Sequence, residues 1–159
     1  MENSIAIILL TVVTSFGFVV FFGAPFLPTR SPQILAAFDL LNLKKGATLL
    51  ELGCGDGKVL IAAAERGYHA IGIEINPILA CIAWVRTRKY GKLVQVRFGN
   101  FWKMKWPSSD GVFVFLLDRY MPALEQKMNS HGGKLVSVAF KIPNKNEIEE
   151  KNGDFLYKF

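Results

Sequence analysis

Three features of this 159-residue chain predict a single α/β domain: a doubly wound, mostly parallel sheet ending in a short C-terminal hairpin. An apolar strand closing on Thr48-Leu49-Leu50 runs into the loop Glu51-Leu52-Gly53-Cys54-Gly55-Asp56-Gly57, and the loop runs into a helix. A second apolar strand, His69 to Glu74, ends in an acid about 20 residues further on, the position of a ribose-binding carboxylate in such sheets. Beyond it, strand-like runs and helical patterns keep alternating, the order that builds parallel sheets.

Taken from the start, Ile5 to Phe22 is an uncharged run of about 18 residues, the lower end of what spans a bilayer. Glu2 precedes it where a secretory signal would carry positive charge, so residues 1–23 are expected to be a transmembrane anchor. Arg30, Lys44 and Lys45 follow the run and no Lys or Arg precedes it, which puts the domain on the cytoplasmic or mitochondrial matrix side. Residues 24–33 form a linker stiffened by Pro25 and Pro28. Ser31-Pro32 then starts a helix reaching about Leu43, with Ile34, Leu35, Phe38 and Leu41 as its apolar stripe, and the domain proper occupies 34–159.

The glycine loop is the chemically informative stretch. Glycines permit close backbone approach, and a strand-to-helix turn directs N–H groups and a positive helix end at a ligand. A dinucleotide fingerprint, G-x-G-x-x-G/A, requires a small residue at position 58, where this chain has Lys58. The pattern here is E-x-G-x-G-x-G. Lys58 to Arg66 forms the following helix, buried through Val59, Leu60, Ala63 and Ala64 and closed by Gly67. After Glu74 and Ile75, Asn76-Pro77 caps a helix expected to reach Tyr90, with Ile78, Ile82 and Val85 as its apolar positions.

A third strand, Leu93 to Phe98, leads to Gly99-Asn100-Phe101-Trp102. Gly111 to Leu117 reads as a fully buried fourth strand, with Asp118 to Pro122 at its carboxyl end, where open α/β sheets bind ligands. A helix from Pro122 to Ser130 closes at His131-Gly132-Gly133, and Lys134 to Phe140 is a fifth strand. A Lys-Asn-Gly-Asp turn then makes a hairpin whose second strand is Phe155 to Phe159, while 146–150 is poor strand sequence, so a sixth strand is short or missing.

Composition excludes several chemistries. The two cysteines, Cys54 and Cys81, have neither ligand spacing nor a pairing argument, so no metal and no disulfide is expected. His69 and His131 suggest packing rather than proton shuttling. The net charge of +6 is scattered, and the cluster Arg86, Arg88, Lys89, Lys92 reads as a solvated face or one lying against anionic lipid, so no nucleic-acid partner is expected.

Acid, glycine loop, helix, strand and second acid together resemble the Rossmann-like class I (seven-strand) methyltransferases that use S-adenosyl-L-methionine. The resemblance covers about Phe26 to the C-terminus. It implies that Glu51, Gly53, Cys54, Gly55, Asp56 and Gly57 meet the amino-acid part of that cofactor and that Glu74, with Ile75, holds the ribose. Asn100 stands where the family often carries the adenine-binding acid; Phe101 and Trp102 are placed to flank the adenine or the substrate channel, or to pack in the core, and Leu117 is expected among the cofactor contacts. A strong general base is not required for methyl transfer to an amine that arrives unprotonated.

A closer similarity is to the membrane-anchored protein-lysine methyltransferases of the ATP synthase c-subunit and adenine nucleotide translocase group. It rests on the apolar run, Phe26-Leu27-Pro28-Thr29, Asn100-Phe101-Trp102, Val114-Phe115-Leu116 and Phe155-Leu156-Tyr157. It implies a protein substrate, a lysine side chain, and a lid over the lysine channel from Phe26, Pro28 and Thr29, with Trp102 and Asp118 on the acceptor side. This chain departs in Asn100, in Asp118 and in its short C-terminus. Leu117-Asp118-Arg119-Tyr120 also lacks the Asn/Asp-Pro-Pro-aromatic tetrad of base-amino methyltransferases. A small-molecule or lipid acceptor, and a non-catalytic binding module, are the alternatives; the intact Glu51/Glu74 pair argues against the last.

Overall fold

The computed structural model describes residues 4–7, 10, 13, 14, 29 and 31–159. Helix α1 (Ser31–Leu41) leads to β1 (Thr48–Leu52), α2 (Lys58–Glu65), β2 (His69–Glu74), α3 (Pro77–Thr87) and β3 (Val94–Phe98). Then come β4 (Gly111–Val114), α4 (Met121–His131), β5 (Lys134–Val138), β6 (Glu149–Lys151) and β7 (Asp154–Lys158). The strands form one sheet in the order β3-β2-β1-β4-β5-β7-β6. Its first five strands are parallel, while β7 runs antiparallel to both β5 and β6.

Strand alternation sends successive side chains to opposite faces. Leu49, Phe113, Val136 and Leu156 meet Ile34 and Phe38 of α1 and Leu60 of α2 on one face. Leu50, Val112, Leu135 and Tyr157 meet Met121, Leu124 and Met128 around α4 on the other. Two cores back to back on one sheet are what a doubly wound fold requires.

Several elements are shorter than their sequence patterns. The β4 ladder stops at Val114, paired with Leu52, the last residue of β1, and with Ser137, so 115–117 lie outside the strand. β5 stops because Ala139 takes a left-handed φ of 66°. Ser137 Oγ also donates to the Phe140 carbonyl at 2.7 Å. α1 ends at Leu41 because Asn42 turns to a φ of 43°. α3 ends at Thr87, and 88–93 continue as 3-10 turns broken at Gly91. β6 exists, three residues long, and the hairpin turns through Asn152 and Gly153 at φ 56° and 79°, the pair of positive values an Asn-Gly turn favours.

One expectation is reversed. Ile82 and Val85 of α3 are 40% and 46% exposed, and the buried positions are Leu79, Ala80, Ala83 and Thr87. The glycine loop sets this face: a Cβ on Gly57 would sit 3.1 Å from the Ala83 Cβ, so only small side chains fit there. The larger ones turn outward.

Among the described residues no helix is long and apolar enough to cross a membrane. The run expected to be an anchor falls largely outside the described residues, as do Phe26 and Pro28. Its described positions are helical, with Thr14 Oγ1 donating to the Leu10 carbonyl at 2.7 Å, and their side chains are exposed.

Candidate cofactor and acceptor site

The loop after β1 is wound tightly enough that Gly53, Gly55 and Gly57 all take left-handed φ values, 81°, 52° and 81°. Side chains rarely adopt these, so glycine is a conformational requirement at all three. Four of the five N–H groups from Gly53 to Gly57 are consumed within the protein. Gly53 and Cys54 N–H both donate to the Ile73 carbonyl, at 2.8 and 3.1 Å, and Gly57 N–H donates to the Cys54 carbonyl at 2.8 Å. Gly55 N–H donates to Glu74 Oε2 at 2.8 Å. Of Gly53 to Gly57, only the Asp56 N–H is left without such a partner among the described residues, so this turn offers a ligand fewer donors than expected. Cys54 turns its thiol inward, where a Cβ on Gly72 would lie 2.6 Å from it, so its side chain faces β2 rather than a ligand. Burial pushes that thiol well above its ordinary pKa, which makes it inert.

What the loop offers instead is carboxyl groups, from Glu51, Glu74 and Asp56. Glu51, at the end of β1, is buried, and its Oε2 has no hydrogen-bond partner among the described residues. Burial first, then the nearby Glu74 and Asp56 charges, hold its pKa well above the usual carboxylate range. Glu74 is buried too, and burial raises its pKa against the opposing pull of backbone donors. Its Oε1 accepts from Asn76 N–H at 2.8 Å, so one carboxylate ties the glycine loop to the start of α3. Asp56 pairs with Arg86 of α3, which also donates to the Asp56 carbonyl at 3.1 Å. Asn76 caps α3, its Oδ1 accepting from Ile78 and Leu79 N–H at 2.9 and 3.2 Å.

The third strand brings the next group in. Gly99 N–H donates to the Glu74 carbonyl at 2.9 Å, which places Asn100 directly beyond the second acid. Asn100 Oδ1 accepts from Trp102 N–H at 2.8 Å and keeps a second lone pair. Phe101 is buried with its ring centroid 4.6 Å from that of Trp102, and Tyr120 lies 6.1 Å beyond Trp102. Leu117 caps the 3-10 turn Asp118–Tyr120, which follows β4; Asp118 is exposed. Thr29 is buried, and its carbonyl accepts from Lys58 Nζ at 3.0 Å, which fixes the end of the linker to the first residue of α2.

The sequence-derived residues therefore fall into one connected patch from Glu51 through Glu74 and Ile75 to Asn100, Phe101 and Trp102. Asp118 stands apart at the surface. Three further participants emerge only from the structure: Lys58 as the tether of Thr29, Arg86 as the clamp on Asp56, and Tyr120 in the aromatic cluster. An aromatic two residues after Asp118 at a strand's carboxyl end is the sequence signal for Tyr120. No group of three metal-ligating side chains occurs among the described residues. His131 instead bonds Ser109 Oγ at 3.1 Å, at the opposite end of the sheet.

The strand order, the single reversed strand β7 between β5 and β6, and an acid-flanked glycine loop define a class I methyltransferase fold, the class built around S-adenosylmethionine. Residues 51–149 match the family model described as the ANTKMT methyltransferase domain, and the chain belongs to that family. It is 30% identical over 125 residues to the ATP synthase c-subunit lysine N-methyltransferase of Rattus norvegicus, covering 76% of this chain and 57% of the relative. With the adenine nucleotide translocase lysine N-methyltransferase of Mus musculus it shares 29% identity over 125 residues, 75% of this chain and 54% of that protein. The chain thus spans little more than half the length of these curated relatives. A crystal structure of an RNA methyltransferase from Salinibacter ruber with S-adenosyl-L-homocysteine superposes with a TM-score of 0.75 at 26% identity, over 84% of this chain and 92% of that one.

Proposed function

We propose that this protein is an S-adenosyl-L-methionine-dependent methyltransferase that modifies lysine side chains of a membrane protein. We propose also that residues 5–22 hold it at the membrane with the domain on the cytoplasmic or matrix side. The observation that carries the cofactor reading is the balance of donors and acceptors in the glycine loop. The N–H groups of Gly53, Cys54, Gly55 and Gly57 are spent on Ile73, Glu74 and Cys54, while the carboxylate of Glu51 is buried with Oε2 unpartnered among the described residues. A pyrophosphate needs donors and repels carboxylates. A ligand with a sulfonium, an ammonium and hydroxyl groups suits this loop. The lysine reading is supported by the names of the two relatives; the Salinibacter neighbour, an RNA enzyme, makes RNA the acceptor to be excluded.

When bound, S-adenosylmethionine supplies an electrophilic methyl group on a positively charged sulfur. Glu51 would receive its ammonium, Gly53 to Gly57 would let its amino-acid part lie against the backbone, and Glu74 would accept from the ribose hydroxyls with the lone pairs Gly55 and Asn76 leave free. Asn100 Oδ1 would accept from the adenine amino group, and Phe101, with Ile75 and Leu117, would flank the ring. Trp102 and Tyr120 offer aromatic walls against which an amine sheds water and its proton, the condition for attack. The segment Phe26-Leu27-Pro28-Thr29, tethered through Thr29 to Lys58, would close over the acceptor. Rate then comes from alignment and water exclusion rather than from a general base.

Incubation of the full chain and methyl-labelled cofactor with cell membranes, followed by separation into protein, lipid and RNA, tests this. Label on lysine in the protein fraction is expected; label confined to lipid or RNA would replace the proposed acceptor.

A further inference from the structure

Helix α3 carries its bulk on the outside. Ile82, Trp84 and Val85 are 40%, 59% and 46% exposed, and the thiol of Cys81 is exposed among them. Pro77, Ile78, Cys81, Ile82 and Val85 line a shallow apolar depression bordered by the charged Arg86. The 3-10 segment that follows adds Arg88, Lys89 and Lys92, with Tyr90 hydrogen-bonded to the acid Glu65. An apolar helix face bearing a tryptophan and bordered by cations is the chemistry of an interfacial helix on anionic lipid.

The chain's own geometry favours lipid over protein as the occupant. Thr29 is pinned to Lys58 at the start of α2, and the Gly57 preceding it abuts Ala83 and Thr87 of α3. Only residues 23–28 separate this point from the apolar run, a reach of about 20 Å fully extended. The described side chains of that run, Ile5, Ile7, Leu10 and Val13, are each more than half exposed.

We propose that the outer face of α3 lies on the bilayer surface, seated among anionic lipid headgroups, and so orients the acceptor side of the site toward membrane-borne substrate. The proposal rests on the membrane reading above but concerns a different surface. Docked, the Ile82 and Val85 side chains leave water, Trp84 sits at headgroup depth and Arg88, Lys89 and Lys92 meet lipid phosphates.

Cys81 reports the answer directly, because Cys54 is buried and the chain has two cysteines. The full chain is mixed with phosphatidylcholine vesicles or with vesicles also containing phosphatidylserine. Its binding is read by flotation and Cys81 by its rate of labelling with a charged, water-soluble maleimide. Labelling is expected to slow by about tenfold or more on the anionic vesicles and less on the neutral ones. The Ile82→Glu, Val85→Glu double variant, altered only at exposed positions, should regain the solution rate while still floating. A chain that floats but labels at its solution rate overturns the docking and leaves the anchor standing. A chain that does not float overturns both. Protection of Cys81 before any vesicle is added overturns lipid in favour of a protein surface on that face.

Discussion

Glu74 bears two loads at once, and only one is visible in the sequence. As a carboxylate at the end of β2 it is expected to hold ribose hydroxyls. Its two oxygens also bind Gly55 and Asn76 N–H, stitching the loop to α3. Glu74→Ala should therefore weaken cofactor binding by about 2–4 kcal/mol and also cost about 1–3 kcal/mol of stability from two orphaned buried donors. Calorimetry and thermal unfolding of the same preparation separate the two, and Glu74→Gln should retain more of both. Unchanged affinity in both variants would remove Glu74 from the site. Asp154 is a third buried acid, after Glu51 and Glu74, at the head of β7, with both oxygens unpartnered among the described residues and its pKa pushed by burial up to about 6. A carboxyl whose folded pKa is raised favours the folded state when protonated. Stability should then fall as pH rises from the ordinary value near about 4 to about 6 and stay low above it. Asp154→Asn should flatten that fall and raise the melting temperature at pH 7; an unaltered pH profile would show that Asp154 carries no such strain.

Among elements, legibility follows locality. β2 and the starts of α2 and α3 are readable to the residue because glycine, acid and Asn-Pro signals fix them from within, while β1 runs two residues further than its pattern, through Glu51 and Leu52. Strand ends set by neighbours are not: β4 stops level with the end of β1 at Leu52, and β5 stops at a left-handed Ala139. The helical spacing of Ile78, Ile82 and Val85 points to the wrong face of α3 because the constraint, Gly57 against Ala83, joins residues far apart in sequence. The consumed N–H groups of the glycine loop are hidden for the same reason, since Ile73 and Glu74 accept them from the next strand. For the linker, the described contact is Thr29 held by Lys58, and the lid reading is tested by substitution. Phe26→Ala should lower turnover on a soluble lysine peptide strongly and cofactor affinity modestly, because alignment in the transition state suffers more than ground-state binding. Full activity of a Phe26→Ala, Pro28→Ala variant on that peptide would make the linker a spacer.

At the scale of the molecule, the sheet and its two cores are complete within 31–159, with every cofactor candidate inside them. Deleting residues 1–23 should leave a folded domain that still binds cofactor, with methyl transfer to membrane-embedded substrate reduced far more than transfer to a soluble peptide. Loss of the folded state on truncation, read by circular dichroism, would make the apolar run part of the core.

Cofactor choice turns on a loop that answers a cation with buried carboxylate. Calorimetric titration of the full chain with S-adenosylmethionine, repeated in buffers of different ionisation enthalpy, tests it most directly. With its raised pKa Glu51 carries a proton more readily in the free protein, and a bound ammonium favours the ionised form. Binding should therefore release protons, tighten as pH rises, and weaken by about 2–4 kcal/mol in Glu51→Ala, while NAD gives no saturable heat. Saturable binding of NAD, or S-adenosylmethionine binding that is indifferent to Glu51→Ala, would contradict it.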